Sequence, residues 1–216
     1  MQVAVLGLGR FGSHLAEALD DLGHEVLAID LDESNVHELA PRVTDARIAD
    51  ITDIDALRAL ALAEVDVAVV ATADLEASVL AMMNLKQLNV EMVYAKASSD
   101  RHQRILRLLG AKRVIRPERD GAERFAHIIQ VASASDFLPL TDSYGIGIFP
   151  IPATWVRQTV GWVMERVGNR RLIAIVRGDE VLISPVMTEE VQVGDRFVFS
   201  APDQQLGEPL DGQRRT

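Results

Sequence analysis

The chain contains no cysteine. Disulfides, zinc–thiolate sites and cysteine nucleophiles are thereby excluded. Its five histidines (His14, His24, His37, His102 and His127) form no H-x-x-x-H pair, so a histidine-held metal is not expected. Basic charge is in deficit: 22 Lys and Arg stand against 32 Asp and Glu, a net charge of −10. No surplus exists to neutralise a phosphate backbone, so nucleic acid is excluded as a partner. Long apolar runs are missing too. The longest, Val65 to Ala73, contains Asp66 and is far shorter than the roughly 20 residues of a membrane-spanning helix. The amino terminus enters a strand pattern at once, leaving no room for a signal peptide. A cytoplasmic protein is expected.

What is present is a strand that runs straight into a glycine loop. Gln2-Val3-Ala4-Val5-Leu6 leads into Gly7-Leu8-Gly9-Arg10-Phe11-Gly12, a helix follows, and a second strand, Glu25 to Asp30, ends on a carboxylate 18 residues past Gly12. That context makes the spacing the dinucleotide-binding form of the motif. Gly7 permits the tight turn, Gly9 lets backbone approach a pyrophosphate, and Gly12 lets the helix lie close to the strand. Free N–H groups at the helix start then meet the phosphates. Asp30 can accept hydrogen bonds from both ribose hydroxyls and would repel a 2′-phosphate, which disfavours NADP. Arg10 sits at the mouth of this site. Its guanidinium can grip a terminal phosphate bidentately, as ADP and ATP offer and NAD does not. It equally fits an exposed arginine on the first helical turn.

At 216 residues and 48% hydrophobic, the chain suits one large domain or two modest ones. Strand patterns fall at 2–6, 25–30, 46–49, 66–71, 92–96 and 113–115, and helical ones at 10–22, 32–40, 53–62, 75–88, 99–109 and 118–134. Continuous apolar runs such as Val67 to Ala71 are those of parallel strands buried on both faces. The expected class is α/β: a Rossmann-like doubly wound parallel sheet over 1–135. A small α+β module over 136–203 follows, with strands at 144–151, 171–177, 180–184 and 196–200 and a helix at 154–166, a βαβββ order. Residues 204–216 read as a fraying tail. The 75–88 helix is apolar around most of its circumference. Val79, Met82 and Met83 are therefore the candidate self-association face.

The whole pattern resembles the regulatory subunits of bacterial Trk/Ktr potassium-uptake systems, built of TrkA-N and TrkA-C domains and also called RCK domains. The segments that carry it are the glycine loop with Gly23-His24-Glu25-Val26 and Asp30, then Val93-Tyr94-Ala95-Lys96-Ala97, then His102, Leu106 and Leu109 to Asp120. Ile173 to Gly178 and Val193 to Phe197 also fit. The resemblance implies an ATP/ADP site, or alternatively NAD/NADH. In that site Gly7, Gly9 and Gly12 line the phosphates, Asp30 holds the adenine-side ribose, Ala49 and Asp50 flank the adenine, Thr72 and Ala73 close the pocket, and Phe11 and Leu31 are further cofactor-binding candidates. Lys96 would reach the phosphates, Arg10 a γ-phosphate across a dimer interface, and Glu118 a divalent or monovalent cation. The implied partners are a membrane-embedded Trk/Ktr potassium-translocating subunit, which would hold the protein peripherally on the inner face of the membrane, and further copies of the chain. A homodimer would assemble into a ring, an octamer by analogy. Cyclic di-AMP at the C-terminal domain is a further implied ligand. The sequence departs from the family at Asp120-Gly121-Ala122, where Asp-Met-Gly is common. Trp155 and Trp162 map to no family role.

The alternative is a small NAD-dependent oxidoreductase. Such an enzyme needs a substrate pocket and a proton relay. The chain offers no Tyr-x-x-x-Lys pair and no His–carboxylate relay, and few polar groups after the nucleotide domain. The expected function is therefore a non-enzymatic, nucleotide-sensing gating subunit working by population shift.

Overall fold

The computed structural model describes residues 1–130, 134–141, 143–208 and 210. Two compact units meet between Asp120 and Gly121. The sequence reading put that border near 136. The difference lies in the last helix of the first half, where Ile128 packs against the second unit's core.

The first unit alternates β1 (Gln2–Leu6), α1 (Arg10–Asp21), β2 (Glu25–Asp30), α2 (Glu33–Leu39), β3 (Asp45–Ile48), α3 (Ile54–Ala59), β4 (Val67–Val70), α4 (Leu75–Gln87), β5 (Val93–Lys96), α5 (Asp100–Leu108) and β6 (Arg113–Ile115), and α6 (Pro117–Gln130) leaves it. All pairings are parallel, in the order β3-β2-β1-β4-β5-β6. The chain winds outward from β1 to β3, then crosses to lay β4 on the other side of β1. Loops leaving β1 and β4 therefore diverge and open a crevice at their C-terminal ends. Alternate β1 residues feed the two cores: Ala4 and Leu6 face a cluster with Leu57, Val70 and Leu85, while Val5 faces Ala16, Val36 and Leu39. Such two-sided burial is why these strands read as unbroken apolar runs.

Helix α4 corrects one expectation. Met82 is 2% exposed and belongs to the core with Leu85, so it cannot serve self-association. The apolar residues that α4 exposes are Leu75, Leu80 and Met83.

The second unit holds β7 (Asp136–Thr141), β8 (Tyr144–Pro150), α7 (Val160–Met164), β9 (Arg171–Arg177), β10 (Glu180–Ile183), β11 (Arg196–Pro202) and α8 (Asp203–Leu206). The strands form an antiparallel sheet in the order β10-β9-β11-β8-β7 over a core of Phe137, Phe149, Trp155, Phe197 and Phe199. Three expectations are revised here. Strand β7 was not among the strands expected of this module. It is an edge strand, where Pro139 costs no ladder bond, and Arg124 grips Asp136 at 2.7 and 2.8 Å. The helix expected over 154–166 is split into a 3-10 turn at Ala153–Trp155 and α7. Arg157 between them has φ 69°, and its N–H donates to the Val191 carbonyl at 2.8 Å, while the Val191 N–H donates to Gln158 at 2.9 Å. This exchange with a neighbouring segment outcompetes the helical bonds. Trp155 is thereby turned into the core against Phe197. The expected tail starts as α8, with Leu206 fully buried and Leu210 5% exposed. Buried Arg170 ties it down by donating to the Gln205 and Glu208 carbonyls. The readings made for 131–133, 209 and 211–216 lie outside the described residues. No helix among the described residues is long and apolar enough to cross a membrane.

Candidate functional site

Five chain segments end at the crevice. Gly7-Leu8-Gly9 leaves β1, Asp30 closes β2, Ala71 to Ala73 leaves β4, Lys96 closes β5, and Glu118 stands on the first turn of α6. They surround a cavity of about 760 Å³ lined by Gly7, Gly9, Arg10, Phe11, His14, Asp30, Asn35, Ala71, Thr72, Ala73, Lys96, Pro117 and Glu118. Four sequence candidates do not line it. Gly12 packs the helix behind the loop. Leu31 is 67% exposed, Ala49 packs against the core, and Asp50 accepts the Thr52 N–H and hydroxyl at 2.8 and 2.7 Å. His14, Asn35, Ala71 and Pro117 were not anticipated. The signal for His14 was helical spacing, one turn after Arg10; Asn35 has none, since only the fold brings α2 there.

The loop is shaped by contacts that leave no room for a side chain. Gly7 has φ 97°, and a Cβ there would lie 2.9 Å from the Thr72 nitrogen. A Cβ on Gly12 would lie 1.9 Å from the Gly7 carbonyl oxygen. Helices α2, α3, α4 and α5 each carry a side-chain cap, from Asp32, Asp53, Asp74 and Ser99. Helix α1 does not: its N-cap is Gly9, and its first turn has no acidic residue. Its leading N–H groups and positive dipole end thus face the cavity without a built-in anion.

Asp30 has a structural task besides any ligand. One oxygen accepts the Leu8 N–H at 2.5 Å and the other the Asp32 N–H at 2.8 Å. Each retains a lone pair, so ribose hydroxyls can still be accepted. Lys96 is 9% exposed, with Nζ 2.8 Å from Glu118 Oε1 and 5.7 Å from the centre of the Phe11 ring. The hydrogen bond from Lys96 holds the Glu118 carboxyl below its ordinary value, with the residue's own backbone N–H and Arg10 adding to the effect. Arg116 pairs with Asp100 on the first turn of α5. No group of three or more His, Asp or Glu among the described residues could hold a metal. Glu118 alone is therefore an incomplete donor set for the expected cation.

Behind the β4 loop, His102 is 2% exposed. Its Nδ1 accepts the Ser98 N–H at 3.3 Å, so Nε2 carries the hydrogen and donates to Ser78 Oγ at 2.7 Å. The Ser78 hydroxyl in turn donates to the Leu75 carbonyl at 2.8 Å. Ser98 Oγ reaches the Ala73 carbonyl at 3.4 Å, so the network backs the cavity wall. Burial pushes the His102 pKa below the usual 6.5. The unfolded chain therefore binds this proton more readily, and the contribution to stability is complete above that value and declines as pH falls below it. Urea midpoints from pH 8 to 5 should drop less steeply for His102→Gln than for the wild type. Equal slopes would contradict this account.

The family pattern of the TrkA-N domain matches residues 3–117, from β1 to the start of α6. The chain belongs to the TrkA-N family. This TrkA-N chain is 36% identical over 199 residues to Ktr system potassium uptake protein C of Bacillus subtilis (strain 168), covering 91% of this chain and 90% of that one. It is 31% identical over 211 residues to Ktr system potassium uptake protein A of Vibrio alginolyticus, covering 97% and 96%. A solved structure, the GsuK channel bound to NAD, matches with a TM-score of 0.60 at 16% identity. That match covers 95% of this TrkA-N chain, which spans only 38% of the channel chain, and the likeness is one of fold.

Proposed function

We propose that this protein is the nucleotide-sensing regulatory subunit of a Ktr/Trk-type potassium uptake system. The carrying observation is the convergence of Gly7, Gly9, Arg10, Asp30, Lys96 and Glu118 on one cavity, beside an uncapped helix start. That arrangement suits an adenine nucleotide: Asp30 receives the ribose, the start of α1 and Lys96 receive phosphates, and Arg10 reads the far end. Relatives named as Ktr potassium uptake proteins along nearly the whole chain support the physiological role. The chain carries no catalytic relay in this reading. Nucleotide identity shifts the population of shapes in a homo-oligomeric ring, and the ring acts on a membrane-embedded potassium-translocating partner at the inner face of the membrane. ATP and ADP are the preferred pair, with NAD(H) second, because Arg10 makes no ion pair among the described residues and is open to a terminal phosphate. Cyclic di-AMP would need the second unit, where Asn169, Arg170 and Arg171 help line a separate cavity of about 770 Å³.

Calorimetric titration with ATP, ADP and NADH tests the site, and nucleotide-dependent co-purification with a potassium-transporting membrane protein tests the role. Arg10→Ala should weaken ATP by about tenfold and NADH by less than about threefold. Equal losses would mean that Arg10 acts only through general electrostatics. Turnover of NADH with small carbonyl compounds would overturn the sensor reading in favour of an oxidoreductase.

A further inference from the structure

The buried cation of the cavity already has a counter-ion. Lys96 Nζ lies 2.8 Å from Glu118 Oε1, and the two ends of this pair differ in freedom. Lys96 closes β5 and its side chain is 11% exposed, whereas the Glu118 side chain is 67% exposed and reaches in from the first turn of α6. The other carboxylate of the cavity is occupied differently. Both oxygens of Asp30 accept backbone N–H groups, and it forms no ion pair among the described residues. Among the described residues, Glu118 is thus the one group that neutralises the lysine on which an incoming phosphate would depend.

We propose that Glu118 is a built-in counter-ion of Lys96 that grades ligands by charge, penalising a triphosphate more than a diphosphate or a dinucleotide, an assignment that rests on the nucleotide reading of this cavity. A phosphate approaching Nζ meets a carboxylate one ion-pair length away. The repulsion grows with the charge on the ligand. An ammonium has three N–H donors, so Lys96 can hold phosphate and carboxylate together, and the repulsion between them then remains. Because Glu118 is exposed, it can instead swing into solvent, and the cost is then the lost pair. A divalent cation carried in on the phosphates would relieve the same repulsion without any further protein ligand.

Three proteins decide the matter: wild type, Glu118→Gln and Lys96→Met. Calorimetry is run with ATP, ADP and NADH, first without divalent cation and then with magnesium. Separately, without nucleotide, the Glu118 carboxyl is titrated by NMR in the wild type and in Lys96→Met. Glu118→Gln should tighten ATP by about tenfold, ADP by less, and NADH by no more than about twofold. Magnesium should shrink the ATP gain. In Lys96→Met the Glu118 carboxyl should titrate at higher pH than in the wild type. An equal change for all three ligands, or weaker ATP binding, overturns the charge-grading role and leaves the nucleotide site standing. An unmoved Glu118 titration in Lys96→Met overturns it as well. Failure of the wild type to bind any of the three ligands removes the nucleotide reading, and the grading role with it.

Discussion

Gly12→Ala should abolish nucleotide binding and lower stability by at least about 2 kcal/mol, because the new methyl cannot be housed. Its carbon would sit 1.9 Å from the Gly7 carbonyl oxygen and 3.2 Å from Ala71 Cβ. Neither neighbour is the end of a flexible side chain. Helix α1 must lift away from β1, and the N–H groups at its start lose their aim. Gly9→Ala is the matched control, since a Cβ there meets nothing within 4 Å. Gly9→Ala should keep wild-type stability and lose affinity only through crowding of the ligand. Urea denaturation and calorimetry on both variants check this. A Gly12→Ala protein of wild-type stability and affinity would refute the close packing of α1 on the loop.

Asp30→Ala has the second largest expected effect, and it strikes twice. The ligand loses its ribose acceptor, which should weaken adenine nucleotides by about tenfold to hundredfold. The protein loses the acceptor for the Leu8 and Asp32 N–H groups, worth about 2 kcal/mol in the empty state. Asp32 caps α2 through the Ser34 N–H, so the start of that helix loosens as well. Asp30→Asn separates the two tasks: its single oxygen can keep one backbone bond while its amide group faces the other donor. It should fall between wild type and Asp30→Ala in both measurements. Unchanged affinity for every adenine nucleotide in Asp30→Ala would eliminate the assigned ribose site, whatever happens to stability.

Both variants concern residues that were visible in the sequence, but for reasons that were only partly visible. Gly12 was expected to let a helix approach a strand, and the Gly7 carbonyl is the atom that demands it. Asp30 was expected to serve a ribose, whereas its bonds to Leu8 and Asp32 belong to the fold. His102 stood in the sequence only as one of five histidines without a metal-binding pair and as part of the family-like pattern. Ser98 stands only four residues before the ring, but Ser78 lies on α4, and only the packing of α5 on α4 brings it to His102.

The sequence by itself determined the six parallel strands, the glycine loop at the end of β1 and the placement of Asp30 and Lys96 at strand ends. Those features are written in local pattern: apolar runs for strands buried on both faces, amphipathic spacing for helices, and glycine where backbone must pass closely. Tertiary structure alone decided the rest. It joined Lys96 to Glu118 across the β5–β6 edge, brought His14 and Asn35 to the cavity, and buried Met82 while leaving Met83 exposed. It also broke the expected 154–166 helix at Arg157, recruited β7 to the second sheet and seated Leu206 in the second core. Each of these depends on a partner distant in the chain. A backbone N–H or an apolar side chain takes whichever partner the folded surroundings offer, and no local pattern names that partner in advance.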